Sequence, residues 1–477
     1  MHVLIVGGGP VGLVTSLVLS SLGVTNTVIE KSLDVYGLPR AIVMDAEIRH
    51  SLERIGLGGR LANVLEPMLA ADFVDARGAT LTSLDLRNVS LFGGPAVSKH
   101  FQPMLDSMLR QEVMRRGAVL RLGTEVVSHR GDVSGVEVDL DDGSILRGDF
   151  LVACDGASSR TRKALDIPLL DLGFDQDWLV VDLLLKDRGS TNLPDLTRQV
   201  CDPERPTTLV SGFRDYYRFE FQLQPGEDTT TMTREENVWT LLSPWITEER
   251  ASLVRVAGYR FHAVVAERLR ESRVLLAGDS AHQMPPFMGQ GLNSGMRDAF
   301  NLGWKLAYVA NGWSSPELLD TYDAERLPQV REIVKQSVET GMLIDQLAGR
   351  VSHGVSTQAG YGGSRPMRGY ESGVIASATP FTGTVYSQWH TIETGDSAAF
   401  TVLTEREIAV ASKLGAIPVR NVLADAVARL GQEVVVVRPD GYVAACCDVS
   451  AFDVTMAALR RRLCATGDAS GATVPGR

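Results

Sequence analysis

Cysteine is scarce and carries no pairing pattern: Cys154, Cys201, Cys446, Cys447 and Cys464 form no C-x-x-C and no Cys/His metal spacing in 477 residues. Neither a disulfide framework nor a zinc site is expected, and the composition points to a reducing, cytoplasmic setting. Basic residues are also in deficit, with 47 Lys+Arg against 58 Asp+Glu and a formal charge of −11. No basic patch offsets that balance, so nucleic acid and anionic membrane surfaces are not expected partners. Prolines number only 20 against 46 glycines, which favours tight turns over disorder or collagen-like order. With 44% hydrophobic and 22% charged residues the chain reads as globular, and its length suggests about three domains.

Long hydrophobic runs are almost absent too. The exception, Val3 to Val24, contains no charge but has no basic flank, and it packs Gly7, Gly8, Gly9, Pro10 and Gly12 where a spanning helix would place leucines. The run divides into a buried strand, Val3–Val6, a turn, and a helix from Leu13 to Leu22 that stops at Gly23; Thr27–Ile29 is the next strand. Gly7, Gly9 and Gly12 fit G-x-G-x-x-G, in which the glycines permit a sharp turn, close approach of a pyrophosphate, and tight helix–strand packing. Pro10 and Val11 begin the helix whose N-terminus faces the phosphates. Glu30 ends the second strand 18 residues after Gly12, positioned to accept hydrogen bonds from a ribose and followed by Lys31. These features predict a dinucleotide, FAD or NAD.

Two further turns follow buried strands. Phe150–Cys154 leads into Asp155-Gly156-Ala157-Ser158-Ser159-Arg160-Thr161-Arg162, and Val274–Ala277 leads into Gly278-Asp279-Ser280-Ala281-His282. The second continues through Pro285-Pro286-Phe287-Met288 and Gly289-Gln290-Gly291-Leu292-Asn293 to a helix predicted over Ser294–Ala307. Both lie at the carboxyl ends of strands, where open α/β sheets bind ligands. A hairpin is predicted around Asp141-Asp142-Gly143.

The three motifs together resemble those of the single-component FAD-dependent aromatic hydroxylases, the para-hydroxybenzoate hydroxylase class. Arg273–Leu306, Pro39-Arg40-Ala41, Gln102-Pro103, Trp178–Asp182 and Cys201-Asp202-Pro203 are most similar to 3-(3-hydroxyphenyl)propionate and polyketide hydroxylases, over roughly residues 1–348. The resemblance implies a Rossmann-like FAD-binding domain, with NADPH or NADH as a transient reductant. It also implies a reaction in which a flavin C4a-hydroperoxide delivers oxygen from O2 to an electron-rich ring. It places Asp279 near the ribityl or pyrophosphate region, Gly291, Leu292 and Asn293 at the pyrimidine edge of the flavin, Arg40 and Gln102 on the cofactor, and Val126 beside the adenine. Gly278, Pro286 and Gly289 belong to the same cofactor-binding set, as do Asp155, Gly156 and Arg162.

For the small aromatic substrate, a carboxylated phenol or a natural-product ring, the expected wall is Pro285, Pro286, Phe287 and Met288, facing Phe213, Tyr216 and Arg218, with Arg214 and Arg218 able to bind a substrate carboxylate. Tyr217, Phe219 and Phe221 alternate with period two and fit a core face of a strand instead. His282 reads as a structural hydrogen-bonding residue, and no catalytic side chain is assigned. Two alternatives stand beside aromatic hydroxylation: epoxidation or Baeyer–Villiger insertion on a natural-product intermediate, and a non-catalytic binding protein on the same dinucleotide fold. An NAD-dependent dehydrogenase would leave Gly278–Asn293 unexplained, and the Trp-x-Trp-x-Ile-Pro signature of flavin halogenases is missing.

The expected organisation is an α/β protein with the FAD domain over 1–172 and 260–348, split by a substrate-binding sheet over 173–259. A Gly/Ser-rich linker over 349–369, a thioredoxin-like module over 370–466 and a disordered tail over 467–477 complete it. Glu317–Leu347 is predicted as two helices meeting near Pro328, with Asp323, Glu325 and Arg326 on exposed faces. In the module, helices are predicted over Glu407–Leu414 and Ala424–Leu430, and strands over Phe400–Leu403, Glu433–Val437 and Tyr442–Cys446. The expected assembly is a monomer or homodimer without a metal.

Overall fold

The uncharged run near the N-terminus forms the strand His2–Val6 at the centre of a six-stranded sheet. Across that sheet run Val119–Leu122, Thr25–Glu30, His2–Val6, Phe150–Ala153 and Val274–Leu276, all parallel, and the antiparallel edge Arg270–Glu271. Parallel strands covered on both faces lack polar alternation, which is why these segments read as continuous apolar runs. The computed structural model describes residues 1–351, 368–377, 379–386, 398–405, 407–410, 413–424, 427 and 431–466. Most of the predicted linker, most of the Ala424–Leu430 helix and the whole predicted tail lie outside the described residues.

Two helices, Pro10–Ser21 and Gln290–Ala310, pack together against one side of the sheet. Their close approach requires glycine: a Cβ at Gly303 would come within 2.4 Å of the Val18 side chain. The antiparallel strands Val126–Gly131, Val136–Leu140 and Ile145–Gly148 cover the other side, burying Val136, Val138 and Leu140 against Leu4, Ile29 and Leu151.

The second sheet has eight strands, in the order His282–Gln283, Ala251–Ala266, Leu169–Leu185, Tyr216–Gln222, Thr207–Ser211, Thr197–Cys201, Ala70–Asp75 and Thr80–Asp85. It therefore draws in strands from 70–85, a region the sequence assigns to the first part of the FAD domain. Strand alternation gives the sheet two characters. Leu179, Val181, Leu183, Tyr217, Phe219 and Phe221 form a core of their own with Val238 and Leu242 of the helix Glu235–Leu242. The opposite face presents Val180, Asp182, Arg218 and Glu220 toward the cofactor domain.

The four-stranded module near the C-terminus has the order Val419–Leu423, Phe400–Thr404, Val434–Val437, Val443–Cys447, and carries the helix Phe452–Arg462. Its core joins Trp304, Tyr308 and Leu318, so it is packed directly on the FAD domain. The strand Val419–Leu423 was not anticipated. Residues 407–410 are not helical, contrary to expectation. The Ile408 N–H donates to the Asn421 side chain (3.4 Å) and the Ala424 N–H to the Thr404 carbonyl (2.9 Å), which ties this stretch to the strand Val419–Leu423.

The region after Pro316 also departs from expectation. One helix, Thr321–Leu347, runs straight through Pro328. Proline removes the hydrogen bond to the carbonyl four residues back; here the hydroxyl of Ser372 donates to that carbonyl, on Ala324, at 2.9 Å. Glu325 and Arg326 are fully buried, not exposed, and half-buried Asp323 accepts from the Leu269 N–H. Glu325 accepts from Lys305 (2.7 Å), from both terminal nitrogens of Arg438 (2.9 Å each), and from Asn301 and the Val374 N–H (2.7 Å each). Arg438 also pairs with Asp440 at 2.5 Å, closing a buried two-cation, two-anion cluster between module and FAD domain.

Candidate active site

The first motif is built as a cradle. Gly7 has φ +106°, and a Cβ there would lie 2.2 Å from the Cys154 carbonyl oxygen; one at Gly12 would lie 2.0 Å from that of Gly7. These two glycines let strand, turn and helix meet. A Cβ at Gly9 would meet nothing within 4 Å, so the smallness of Gly9 serves space outside the protein core. Pro10 occupies the first helical position, and the first-turn N–H groups have no helical acceptors. Glu30 is held by the N–H groups of Gly8 (2.6 Å) and Ser32 (2.8 Å), with lone pairs left for a ribose hydroxyl. Lys31 is exposed, and Val126 is buried beside Ile29.

In the second motif, Asp155 accepts from the Thr161 N–H at 3.0 Å through one oxygen, while the other is buried without a partner among the described residues. Gly156 has φ +80° and open space beside it. Ser159 caps the helix Arg160–Ala164. Arg162 does not face the cavity: it is buried and donates to the Ser280 carbonyl at 3.2 Å, tying the second motif to the third.

The third motif is pinned from beneath by Asp298. Its buried carboxylate accepts from the Gly278 N–H (2.9 Å) and from Arg326 (2.7 Å), and pairs with Nε2 of His282 (2.7 Å). His282 thus makes the hydrogen bond expected of it, and it also lines the cavity. Asp279 opens on the cavity, with protein walls around it rather than bulk water. Desolvation raises its pKa against the opposing influence of His282 and Arg40. Gly289, at φ +63°, opens the helix Gln290–Ala310, which begins earlier than predicted, so Gly291 and Leu292 lie in its first turn. The Asn293 side chain is turned to structure: it accepts from the Asp45 N–H (2.9 Å) and donates to the Gly289 (2.8 Å) and Val43 carbonyls.

A cavity of about 470 Å3 joins these parts to the second sheet. Of the predicted cofactor residues, Gly9, Pro10, Val11, Arg40, Gln102, Gly156, Asp279, Pro286, Gly289, Gly291 and Leu292 line it. Gly7, Gly12, Glu30, Lys31, Val126, Asp155, Gly278 and Asn293 do not. Of the predicted substrate residues, Phe287, Met288, Pro286 and Arg218 line it, and Pro285 does not. Phe213 and Tyr216 are elsewhere: Phe213 is buried, and Tyr216 stacks on Phe101 at 3.9 Å. Arg218 lines the wall but is bound internally, through Asp182 (2.7 and 3.1 Å) and the carbonyls of Arg40 and Pro39 (2.7 and 3.3 Å). Gln102 is likewise engaged, by the Ala41 N–H and Asp106.

Sequence reasoning missed several wall residues. Phe261 belongs to an aromatic group that holds Phe287 edge-on, together with Trp178 (5.3 Å) and Phe174 (5.8 Å). Gln199, Thr208 and Glu220 supply polar groups from three neighbouring strands, and Met68, Leu84 and Leu86 an apolar side. The period-two alternation that identified Tyr217, Phe219 and Phe221 as core also places Glu220 on the opposite face.

His100 is buried nearby, and neither ring nitrogen has a hydrogen-bond partner among the described residues. Burial first, and the Arg218 guanidinium second, lower its pKa from 6.5 to about 3. The unfolded chain therefore binds a proton that the folded chain refuses, so stability falls as pH drops from about 6.5 toward 3. The slope contributed is about 1.4 kcal/mol per pH unit. His100→Phe is expected to flatten the acid limb of urea midpoints measured between pH 7 and 5.

A Gly-rich dinucleotide cradle, a helix N-terminus on the same cavity and a second sheet closing it define a dinucleotide-binding protein of the α/β class. The FAD binding domain family matches residues 1–337, and the chain belongs to that family, with FAD as its cofactor. It is 35% identical over 353 residues to a probable NADH-specific resorcinol 4-hydroxylase of Rhodococcus jostii (strain RHA1), covering 72% of this chain and 65% of that protein. It is 34% identical over 423 residues to a 3-(3-hydroxy-phenyl)propionate/3-hydroxycinnamic acid hydroxylase of Klebsiella pneumoniae, covering 83% and 75%. The chain thus spans just under two thirds of the first of these relatives and three quarters of the second. The fold matches aklavinone-11 hydroxylase, solved with FAD and aklavinone, at a TM-score of 0.81 and 24% identity over 97% of this chain and 98% of that one. OxyS anhydrotetracycline hydroxylase from Streptomyces rimosus matches at 0.77 and 24%, over 97% and 99%. Among the described residues, no helix is long and apolar enough to cross a membrane.

Proposed function

We propose that the chain is an FAD-dependent monooxygenase that hydroxylates a phenolic substrate with O2, using NADH as reductant. The observation that carries this reading is the continuous cavity, which runs from the dinucleotide cradle at Gly9 past the helix N-terminus at Gly291 to the polar sheet wall at Thr208 and Glu220. The open space beside Gly9, Gly156 and Gly291 and the unpartnered Asp155 oxygen fit a dinucleotide laid across the strand ends. Bound FAD supplies hydride acceptance and dioxygen activation, chemistry that side chains lack.

The chain's own residues have narrower tasks. The N–H groups of Gly291 and Leu292 present a helix N-terminus to the cavity and would favour negative charge on a cofactor bound there. Arg40 offers a cation to the pyrophosphate. Phe287, fixed by Trp178, Phe174 and Phe261, forms a rigid apolar wall that keeps bulk water from the reacting centre. The names of the two curated relatives support a phenol as substrate, and the first supports NADH.

The experiment is oxidation of NADH and NADPH by the FAD-loaded protein, with and without a panel of phenols, followed by mass analysis of products and assay of H2O2. NADH oxidation stimulated by a phenol, with a product heavier by one oxygen, is expected. Oxidation that no phenol stimulates contradicts the reading.

A further inference from the structure

Glu220 is a buried carboxylate that the fold does not use. It is 6% exposed, lies on the cavity wall, and accepts no hydrogen bond among the described residues. Its nearest cation is Nη1 of Arg218 at 3.7 Å, beyond hydrogen-bond reach, and that guanidinium already serves Asp182 and the carbonyls of Pro39 and Arg40. The other charged groups around it are Asp182 and Arg255, and Arg255 is committed to the Pro39 carbonyl at 2.6 Å and to Asp182 at 3.6 Å. Burial, opposed by Arg218, raises the pKa of Glu220 above the ordinary carboxylate value. The residue is buried but its carboxylate opens on the cavity, where a ligand hydroxyl can donate to it.

The neighbouring strands extend the pattern. Thr208, directly across from Glu220, donates its hydroxyl to the Gln199 oxygen at 2.6 Å, and Gln199 donates to the carbonyls of Thr207 and Val200. Their donors are consumed, and what remains toward the cavity is acceptor capacity: a carboxylate, a hydroxyl oxygen and an amide oxygen. The remaining cations on the cavity wall are placed otherwise. Arg40 holds its guanidinium over the Tyr36 ring at 4.2 Å, Arg260 is exposed and bound to Asp177, and His262 is exposed on the same strand as Arg260. Acceptors without free donors match hydroxyl groups and repel a carboxylate.

We propose that Glu220 binds a ring hydroxyl of the substrate, and that the site selects a neutral phenol, such as a dihydric one, over a phenolic carboxylic acid. The inference rests on the hydroxylase reading above and deepens it. A hydroxyl donating to a carboxylate gains electron density on oxygen and on the ring carbons ortho and para to it, the positions an electrophilic oxygen attacks.

The test uses the FAD-loaded enzyme and the change in its visible flavin spectrum on ligand addition, with resorcinol, resorcinol dimethyl ether and 3-(3-hydroxyphenyl)propionate as probes. The wild type is expected to bind resorcinol about 10-fold or more tightly than either other probe. Glu220→Gln is expected to keep its FAD content, lose about 10-fold in resorcinol affinity, and bind the dimethyl ether within twofold of wild type. The wild-type probe series tests the proposal even if the variant fails to fold. A wild type that prefers the propionate overturns the proposal, as does a variant that binds resorcinol normally or loses both ligands equally. In those cases, phenol-stimulated NADH oxidation by the wild type keeps the hydroxylase reading standing; its absence overturns both.

Discussion

Replacing Glu325 with Gln is expected to lower the thermal midpoint sharply and to loosen the C-terminal module. The substitution removes one charge from a cluster in which Lys305, Arg438, Glu325 and Asp440 are essentially inaccessible to water. Burial would raise the Glu325 pKa, yet Arg438 and Lys305 hold it down to about 2, so the group is ionised throughout the working range. Neutralising it leaves two buried cations facing one anion, and breaking a buried pair in this way costs about 3–5 kcal/mol. Since the cluster bridges the helices Gln290–Ala310 and Thr321–Leu347 to the turn at Asp440, protease should cut the module more readily in the variant. Asp139→Asn, which breaks an exposed pair with Arg130, serves as the control and should leave the midpoint in place. Equal midpoints for the two variants would contradict this account of how the module is held.

The second large effect separates two glycines of one motif. Gly12→Ala drives a methyl group to 2.0 Å from a backbone oxygen that cannot move without displacing the central strand. Loss of folded protein is expected. Gly9→Ala places the same methyl group in open space, on a backbone at φ −75° and ψ 177° that alanine adopts freely. The apoprotein should fold with an unchanged midpoint. Its FAD affinity should fall, because the methyl group occupies the place of the pyrophosphate; overpacking of about 1–3 kcal/mol corresponds to roughly 5- to 150-fold. Fluorescence titration of apoprotein with FAD, beside a melting curve, measures both quantities. A Gly9→Ala protein that binds FAD normally would mean the dinucleotide lies elsewhere.

What could be read in the sequence was what is local. The strand, turn and helix around Gly7–Gly12 declare themselves through spacing and apolar runs, and the Gly278–Asn293 stretch through its motif. The alternation from Tyr216 to Gln222 separated the core face from the cavity face, although it could not say that Phe101 occupies the ground before Tyr216. Misreadings arose where the deciding partner is distant in the chain. Charged residues on a helix normally face water, so Glu325 and Arg326 read as exposed; the groups that bury them, Arg438 and Asp298, lie 113 and 28 residues away. Pro328 normally ends a helix, and the hydroxyl that rescues the freed carbonyl comes from Ser372. Arg218 and Arg162 have the chemistry of anion-binding residues but are taken up by Asp182 and the Ser280 carbonyl. The strands at 70–85 join the second sheet by long-range pairing with Thr197–Cys201, for which no local pattern exists.

The most direct test of the central claim is the origin of the oxygen atom in the product. The FAD-loaded enzyme is supplied with NADH, a phenol that stimulates its oxidation, and dioxygen enriched in a heavy isotope, and the product is weighed by mass spectrometry. One labelled oxygen per turnover, with H2O2 a minor product, is the predicted result. A product whose added oxygen comes from water, or stoichiometric H2O2 with the phenol unchanged, would contradict it.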